Sequence, residues 1–219
     1  MGNAISHATK RIRRILEVFN SDKELDLTII GLDAAGKSTL ISLFKHDNEL
    51  IKPTLGYSIE QINVHNKKLK VFDLGGQAGI KKFWDKYVTN INGLIFMIDI
   101  ADSNRYGEAY NSLYSISSDV KDGIPILFLL NKSDLINNDQ ELNNRVNEVV
   151  NKFQIKNDEI ELKDKKFMTK VVVCSVKNEQ EKSKGGRMND VEESDIGNAF
   201  KWIIKIGENN SPMVSEVFK

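Results

Sequence analysis

The sequence predicts an α/β fold: a mostly parallel, six-stranded sheet with helices on both faces. Three observations predict it. Short apolar runs at residues 25–31, 93–99, 124–131 and 170–174 read as buried strands, because a strand covered on both faces is apolar throughout rather than alternating. Amphipathic stretches follow the second and third of these runs, which gives the strand–helix alternation of a parallel sheet. Residues 57–65 and 68–73, separated by Asn66-Lys67, read as a β-hairpin that adds one antiparallel neighbour, although the turn lacks the glycine such turns prefer.

Taken in order, the first run, Leu-Asp-Leu-Thr-Ile-Ile-Gly, ends on Gly31, and a helical pattern begins at Gly36-Lys37-Ser38-Thr39, giving strand, loop and helix in immediate succession. Residues 178–195 hold too few apolar side chains to bury anything and read as a mobile surface insertion. Asp195 is placed to cap a last helix over 196–206, whose Phe200, Ile203 and Ile204 share one face. Residues 208–219 are expected to be a loose tail. The chain of 219 residues suits one such domain, over 23–207, preceded by an arm at 1–22.

Composition narrows the function. Lys+Arg and Asp+Glu balance at 31 each, so no nucleic-acid partner is indicated, although Lys10, Arg11, Arg13 and Arg14 crowd the N-terminus. A single cysteine, Cys174, excludes an internal disulfide and a cysteine-based zinc cluster and favours the reducing, cytosolic side of a membrane. No apolar run approaches the roughly 18 residues of a membrane span, so any membrane attachment is peripheral. The histidines His7, His46 and His65 show no partner pattern and read as surface residues.

Two motifs carry the chemistry. Gly31-Leu-Asp33-Ala34-Ala35-Gly36-Lys37-Ser38 fits G-x-x-x-x-G-K-[ST] in the strand–loop–helix context that the motif requires. Glycines let the backbone wrap a phosphate with its N–H groups and the helix N-terminus, Lys37 supplies a point charge to the β- and γ-phosphates, and Ser38 offers a hydroxyl to Mg²⁺. Asp33, Ala34, Ala35, Gly36, Lys37, Ser38 and Thr39 are therefore the candidate phosphate-binding residues. The second motif, Asn131-Lys132-Ser133-Asp134, follows directly on an apolar strand, about ninety residues after the first. A carboxylate there accepts both N1–H and N2–H₂ of guanine, a donor pair that adenine lacks, so Asp134 carries base selection while Asn131 braces the loop and the Lys132 stem covers the ring. Such a quartet alone ends many strands; its distance from a phosphate loop gives it meaning.

Three weaker signals converge on the same site. Asp73-Leu74-Gly75-Gly76-Gln77 ends a strand, with Asp73 suited to hold Mg²⁺ through water, Gly76 to give its N–H to the γ-phosphate, and Gln77 to orient the attacking water. Thr54 is the candidate second Mg²⁺ ligand, in a loop able to close over the nucleotide. At the end of the last strand, Cys174-Ser175-Val176-Lys177 can present a backbone N–H, from Ser175 or Val176, to guanine O6.

Gly31 to Thr39, Pro53-Thr-Leu-Gly-Tyr-Ser-Ile-Glu60, Phe72-Asp-Leu-Gly-Gly-Gln77, and Trp84-Asp-Lys-Tyr87 followed by Gly93-Leu-Ile-Phe-Met-Ile-Asp99 resemble the ADP-ribosylation-factor and Arf-like small GTPases as far as about Gly207. That resemblance implies the P-loop small GTPase fold and a GDP/GTP switch that recruits effectors to membranes in vesicle or protein trafficking. It also implies that Thr54 and Gly76 belong to two switch segments, that Gln77 is the hydrolytic glutamine, and that Tyr57, Phe72 and Tyr87 form an effector-facing aromatic triad. Tyr57 and Phe72 depart from the Phe and Trp common in the family. The segment at 156–169 is longer than usual, and the insertion after Lys177 is also unusual.

Lys37, Mg²⁺, Gly76 and Gln77 cover most of what phosphoryl transfer needs, but no arginine falls between Arg14 and Arg105. Hydrolysis is therefore expected to be slow until a GTPase-activating protein supplies an arginine finger, with an exchange factor reloading GTP. Met1-Gly2-Asn3-Ala4-Ile5-Ser6 matches a myristoylation acceptor at Gly2. Ile5, Ala8, Ile12, Ile15, Leu16 and Phe19 then form an apolar stripe opposite the basic residues. Together these predict peripheral attachment to the cytosolic face of a membrane such as that of the Golgi. Two other classes stand beside this reading: a non-hydrolysing, GTP-dependent recruitment scaffold, which the intact Gln77 opposes, and a P-loop ATPase or kinase, which Asp134 opposes.

Overall fold

In the computed structural model the described residues are 24–45, 57–75, 83–183 and 191–210. Seven strands form one sheet: β1 (Leu25–Gly31), β2 (Tyr57–Val64), β3 (Lys67–Leu74), β4 (Gly93–Asp99), β5 (Ile126–Asn131), β6 (Glu159–Leu162) and β7 (Lys165–Val173). Their spatial order is β2-β3-β1-β4-β5-β7-β6. The five central strands run parallel, and the outermost pairs, β2 with β3 and β6 with β7, are antiparallel.

Because successive strand residues point to opposite faces, β4 feeds two cores at once. Leu94, Phe96 and Ile98 pack with Leu113 and Ile116 of α2 (Tyr106–Ile116) and Val149 and Phe153 of α3 (Asp139–Phe153). Ile95 and Met97 face the other way, toward Leu40 and Phe44 of α1 (Lys37–Lys45), Val176 of α4 (Val176–Ser183), and Phe200 and Ile203 of α5 (Asp195–Asn209). Helices therefore cover both faces as expected. Phe44 and Phe200 meet with ring centroids 4.4 Å apart, and complete burial of a side chain of this size stabilises by roughly 1.5–3 kcal/mol.

The structure corrects the sequence reading at several places. The sheet has seven strands, not six, because residues 156–169 are not a plain lengthened segment. They supply β6 and extend β7 back to Lys165, with Ile160 opposite Phe167 on the buried side. The turn between them is Lys163-Asp164, with φ of 49° and 64°, and the turn of the first hairpin is His65-Asn66, with φ of 50° and 60°. Both are two-residue turns in left-handed conformation made without glycine, which concealed the second hairpin and left the turn of the first placed one residue late. The strand expected over 124–131 begins at Ile126.

The stretch at 178–195 also differs. Residues 178–183 continue α4, and Val191 is 3% exposed against the core, so this stretch does bury an apolar side chain; residues 184–190 lie outside the described residues. Ser194, not Asp195, caps α5, its hydroxyl accepting from Gly197 N at 3.1 Å. The helix continues past Gly207 to Asn209, and Asn210 donates to the Gly123 carbonyl at 2.8 Å. His65 is not partnerless either: its backbone N–H donates to Glu192 Oε1 at 2.7 Å, and its ring Nε2 lies 2.8 Å from the Gly197 carbonyl oxygen, tying the hairpin turn to the start of α5.

Candidate functional site

The loops that leave the C-terminal ends of β1, β5 and β7 meet on one side of the sheet, where an open parallel sheet binds ligands. Strand β1 ends at Gly31, where nothing larger fits: a Cβ there would lie 2.2 Å from the Met97 carbonyl oxygen on β4. Ala34 (φ 60°) and Gly36 (φ 100°) then take left-handed backbone, the conformation from which consecutive N–H groups form an anion-binding concavity. An alanine in that region is uncommon and carries strain of a kind that clusters at functional sites. Lys37 opens α1 but folds back over the loop, its Nζ donating to the Gly31 and Leu32 carbonyls at 3.0 and 2.9 Å. At 6% exposure it is a buried cation held at the loop.

Asn131 joins all three loops. Its Nδ2 donates to the Ala35 carbonyl at 2.9 Å, and its Oδ1 accepts from Val176 N at 3.0 Å. The loops at 131–134 and 174–176 are zipped further by Ser133 N to the Cys174 carbonyl at 3.2 Å and Ser175 Oγ to Asp134 Oδ1 at 2.6 Å. Lys132 sits in left-handed backbone (φ 68°), and its ammonium pairs with Asp99 Oδ2 at 2.6 Å. The predicted phosphate loop and the predicted base loops thus share one asparagine, across 96 residues of sequence.

Ser38 Oγ donates to Asp73 Oδ2 at 2.7 Å, which puts a hydroxyl and a carboxylate side by side next to the loop. Both are hard oxygen donors, so this pair fits a small dication of the Mg²⁺ type. Among the described residues there is no group of three or more His, Cys, Asp or Glu side chains arranged to hold a metal; a Ser–Asp pair that relies on ligand oxygens for the rest of its shell is the Mg²⁺ pattern rather than the zinc one. Thr54, Gly76, Gln77 and Gly2 lie outside the described residues.

The aromatic triad is assembled: Tyr57 and Tyr87 lie 4.9 Å apart by ring centroid, and Phe72 and Tyr87 lie 5.9 Å apart. Tyr57 and its neighbour Ile59 are 52% and 51% exposed. Two hydrogen bonds hold the Trp84–Tyr87 turn in place, Thr28 Oγ1 to the Tyr87 carbonyl at 2.6 Å and Trp84 Nε1 to the Gly75 carbonyl at 3.1 Å.

Two site residues escaped the sequence reading. Asp99, at the end of β4, anchors Lys132, and Arg105, just before α2, donates from Nη2 to Asp33 Oδ1 at 2.6 Å and from Nε to Glu108 Oε2 at 2.9 Å. A shallow cavity lined by Leu32, Asp33, Asp99, Arg105 and Tyr106 lies between them. The hydrogen bond from Arg105 holds the Asp33 carboxyl below its ordinary range, and Glu108 and Asp33 together raise the guanidinium further. Their partners stand 33 and 72 residues away in sequence, so no local spacing marks them. Burial pushes the Cys174 thiol up to about 12.

A loop of the phosphate-binding pattern with its buried lysine, tied by one asparagine to the loop that leaves β5, two strands away, has the form of a P-loop protein of the guanine-nucleotide class. Residues 12–187 match the family model for the ADP-ribosylation factor family. A curated relative, an ADP-ribosylation factor of Encephalitozoon cuniculi (strain GB-M1), is 32% identical over 211 residues, spanning 94% of this chain and 95% of the relative. The chain belongs to the ADP-ribosylation factor family of small GTPases, and it is therefore a guanine-nucleotide-binding GTP hydrolase.

Solved structures agree on the fold. The Arl6 BBS3 small GTPase from Trypanosoma brucei with bound nucleotide analogue GppNp superposes with a TM-score of 0.63 at 21% identity, over 86% of this chain and 100% of that one. An ADP-ribosylation factor-like GTP-binding protein/small COPII coat GTPase SAR1 from Encephalitozoon cuniculi, in complex with GDP, gives 0.59 at 22% identity, over 95% and 92%. Among the described residues no helix is long and apolar enough to cross a membrane.

Proposed function

We propose that this chain is a molecular switch that cycles between GDP and GTP, hydrolyses GTP slowly unaided, and in its GTP state recruits effectors to a membrane surface. The observation that carries the nucleotide half is the pair of hydrogen bonds made by the Asn131 side chain, because it ties the phosphate loop to the loops that face the base. Asp33 to Thr39 bind phosphate, Lys37 spanning the β- and γ-phosphates. Asp134 accepts from guanine N1–H and N2–H₂, held in position by Ser175. Ser175 faces O6 with its N–H, since the Val176 N–H expected as the other candidate is taken by Asn131 Oδ1 at 3.0 Å, and the Lys132 stem lies against the ring, its head anchored by Asp99.

Ser38 and Thr54 would hold Mg²⁺ directly and Asp73 would hold it through water, and the ion would supply positive charge against the β- and γ-phosphates. The chain's own contribution to hydrolysis is then positional. Gln77 orients the attacking water, Gly76 N–H meets the γ-phosphate, and Lys37 remains as fixed positive charge. Both arginines among the described residues are already engaged by carboxylates, Arg105 by Asp33 and Glu108, and Arg145 by Glu141 at 3.5 Å and Glu148 at 3.8 Å. That supports a finger arriving in trans from an activating protein, a gain on the order of 10³–10⁵ in related GTPases. An exchange factor completes the cycle.

The cluster of exposed Tyr57 with half-buried Phe72 and Tyr87 is the effector face. We read residues 1–22 as a membrane arm lipidated at Gly2, 23–207 as the GTPase domain and 208–219 as a tail. The arm places the protein on the cytosolic face of a trafficking membrane, with the Golgi the first to examine. Displacement of a fluorescent guanine nucleotide by GDP but not ATP tests base selection, and displacement by both would refute it. In single-turnover assays with candidate activators, Gln77→Leu is expected to bind GTP yet lose stimulated hydrolysis; a normal stimulated rate would remove Gln77 from the mechanism, and a wild type that releases no phosphate with any activator would favour the scaffold reading.

A further inference from the structure

The phosphate loop contains one acidic side chain, Asp33, in a segment whose purpose is to attract anions. An ionised carboxylate beside a polyphosphate is repulsive unless something neutralises it, and Arg105 is placed to do so. Its guanidinium is steered by Glu108, three residues along, through Nε at 2.9 Å, which leaves Nη2 to reach Asp33 Oδ1 at 2.6 Å from a different element of the fold. Glu108 thus fixes the orientation of the donor and does not compete for the same nitrogen. Asp33 immediately precedes the left-handed Ala34, so the pair sits at the rim of the anion-binding concavity.

We propose that Arg105 is a positioning residue of the nucleotide site: by masking the Asp33 carboxylate it sets how tightly the loop holds the phosphates. The inference rests on the guanine-nucleotide reading above. It assigns to the β4–α2 connection a part in nucleotide retention that none of the five sequence motifs carries. The side chains of Arg105 and Asp33 are 33% and 51% exposed, so solvent screens the pair and the effect is moderate.

The test is the dissociation rate of a fluorescent GDP from full-length wild type, Arg105→Gln, Asp33→Asn and the double variant, with circular dichroism as the check on folding. Arg105→Gln is expected to release GDP about two- to fivefold faster. Asp33→Asn should slow release, since the carboxylate's repulsion of the phosphates is gone, and adding it to Arg105→Gln should bring the rate back within about twofold of wild type. The acceleration should shrink as salt is raised toward 1 M, where screening acts within about 3 Å.

A merely structural clip between loop and helix predicts otherwise: both single variants would accelerate release alike, the double variant would give no rescue, and salt would not matter. That result, or an Arg105→Gln rate equal to wild type, overturns the proposal while leaving guanine-nucleotide binding in place. Failure of the wild type to bind GDP at all would instead overturn the reading beneath it, and the inference with it.

Discussion

Asn131→Ala is the most informative single change, because one side chain satisfies two buried backbone groups on two other loops. Removing the amide strands the Ala35 carbonyl and the Val176 N–H, bonded now at 2.9 and 3.0 Å, at a site where Asn131 is 4% exposed. Each orphaned group costs about 1–3 kcal/mol. Partial relaxation places the expected total near the lower half of the sum, about 2–4 kcal/mol. For a chain of this size that corresponds to a fall in Tm of about 4–16 °C. Urea unfolding in two fixed excesses of GDP is the assay, since bound nucleotide raises apparent stability by linkage and the two concentrations separate lost affinity from lost intrinsic stability. Asn131→Asp is the sharper control: one oxygen still accepts from Val176 N, but the other meets the Ala35 carbonyl as acceptor against acceptor. A loss below about 1 kcal/mol for Ala, or wild-type stability for Asp, would refute the brace.

Three further outcomes are expected. Gly36→Ala should cut GDP affinity by about tenfold or more by calorimetry, because φ is 100° there and a Cβ would lie 2.4 Å from Asn131 Nδ2; unchanged affinity would show that the loop tolerates the shift. Cys174, buried and with its thiol raised to about 12, should resist iodoacetamide in the native protein at pH 8, reacting on the order of 10³ times more slowly than after unfolding, and as the only cysteine it gives an unambiguous mass-spectrometric readout. Because Arg105 depresses the folded-state pKa of Asp33, the pair's contribution to stability is present above the ordinary carboxylate range and is lost as pH falls through the depressed value. Melting curves of wild type and Asp33→Asn should therefore differ near neutrality and converge in acid, and a constant difference across that range would contradict the pairing.

What was legible in the sequence had a local signature. Gly31 to Ser38 is contiguous, Asn131 to Asp134 follows an apolar strand, and both sit where their spacing predicts, whereas the clustering of Tyr57, Phe72 and Tyr87 was implied only by the family resemblance. The β6–β7 hairpin was missed because its turn, Lys163-Asp164, lacks glycine, and because Glu-Ile-Glu-Leu and Lys-Lys-Phe-Met carry enough charge to resemble a surface loop. Their alternation was the available signal, with Ile160, Leu162 and Phe167 buried at every second position. The cap of α5 was misplaced by one residue because Ser194 and Asp195 are both good caps and only backbone geometry separates them: Ser194 is extended, at φ −69° and ψ 169°. Val191, alone among polar neighbours, gave no period to read, and its burial comes from α5 folding over it. The ties Lys132–Asp99 and Arg105–Asp33 are products of strand order, which no local pattern encodes.

The seventh strand also changes how this sheet meets other molecules. At one rim β6 is only four residues long, turns Glu159 and Glu161 outward, and pairs with Lys165–Met168 of β7. Short, charged rims discourage sideways pairing with another chain. At the opposite rim β2 is eight residues long and exposes Tyr57 and Ile59. Among the described residues the β2 rim is the longer and the more apolar of the two, so unwanted sideways pairing with another chain under stress would fall on the same edge that carries Tyr57 of the aromatic cluster.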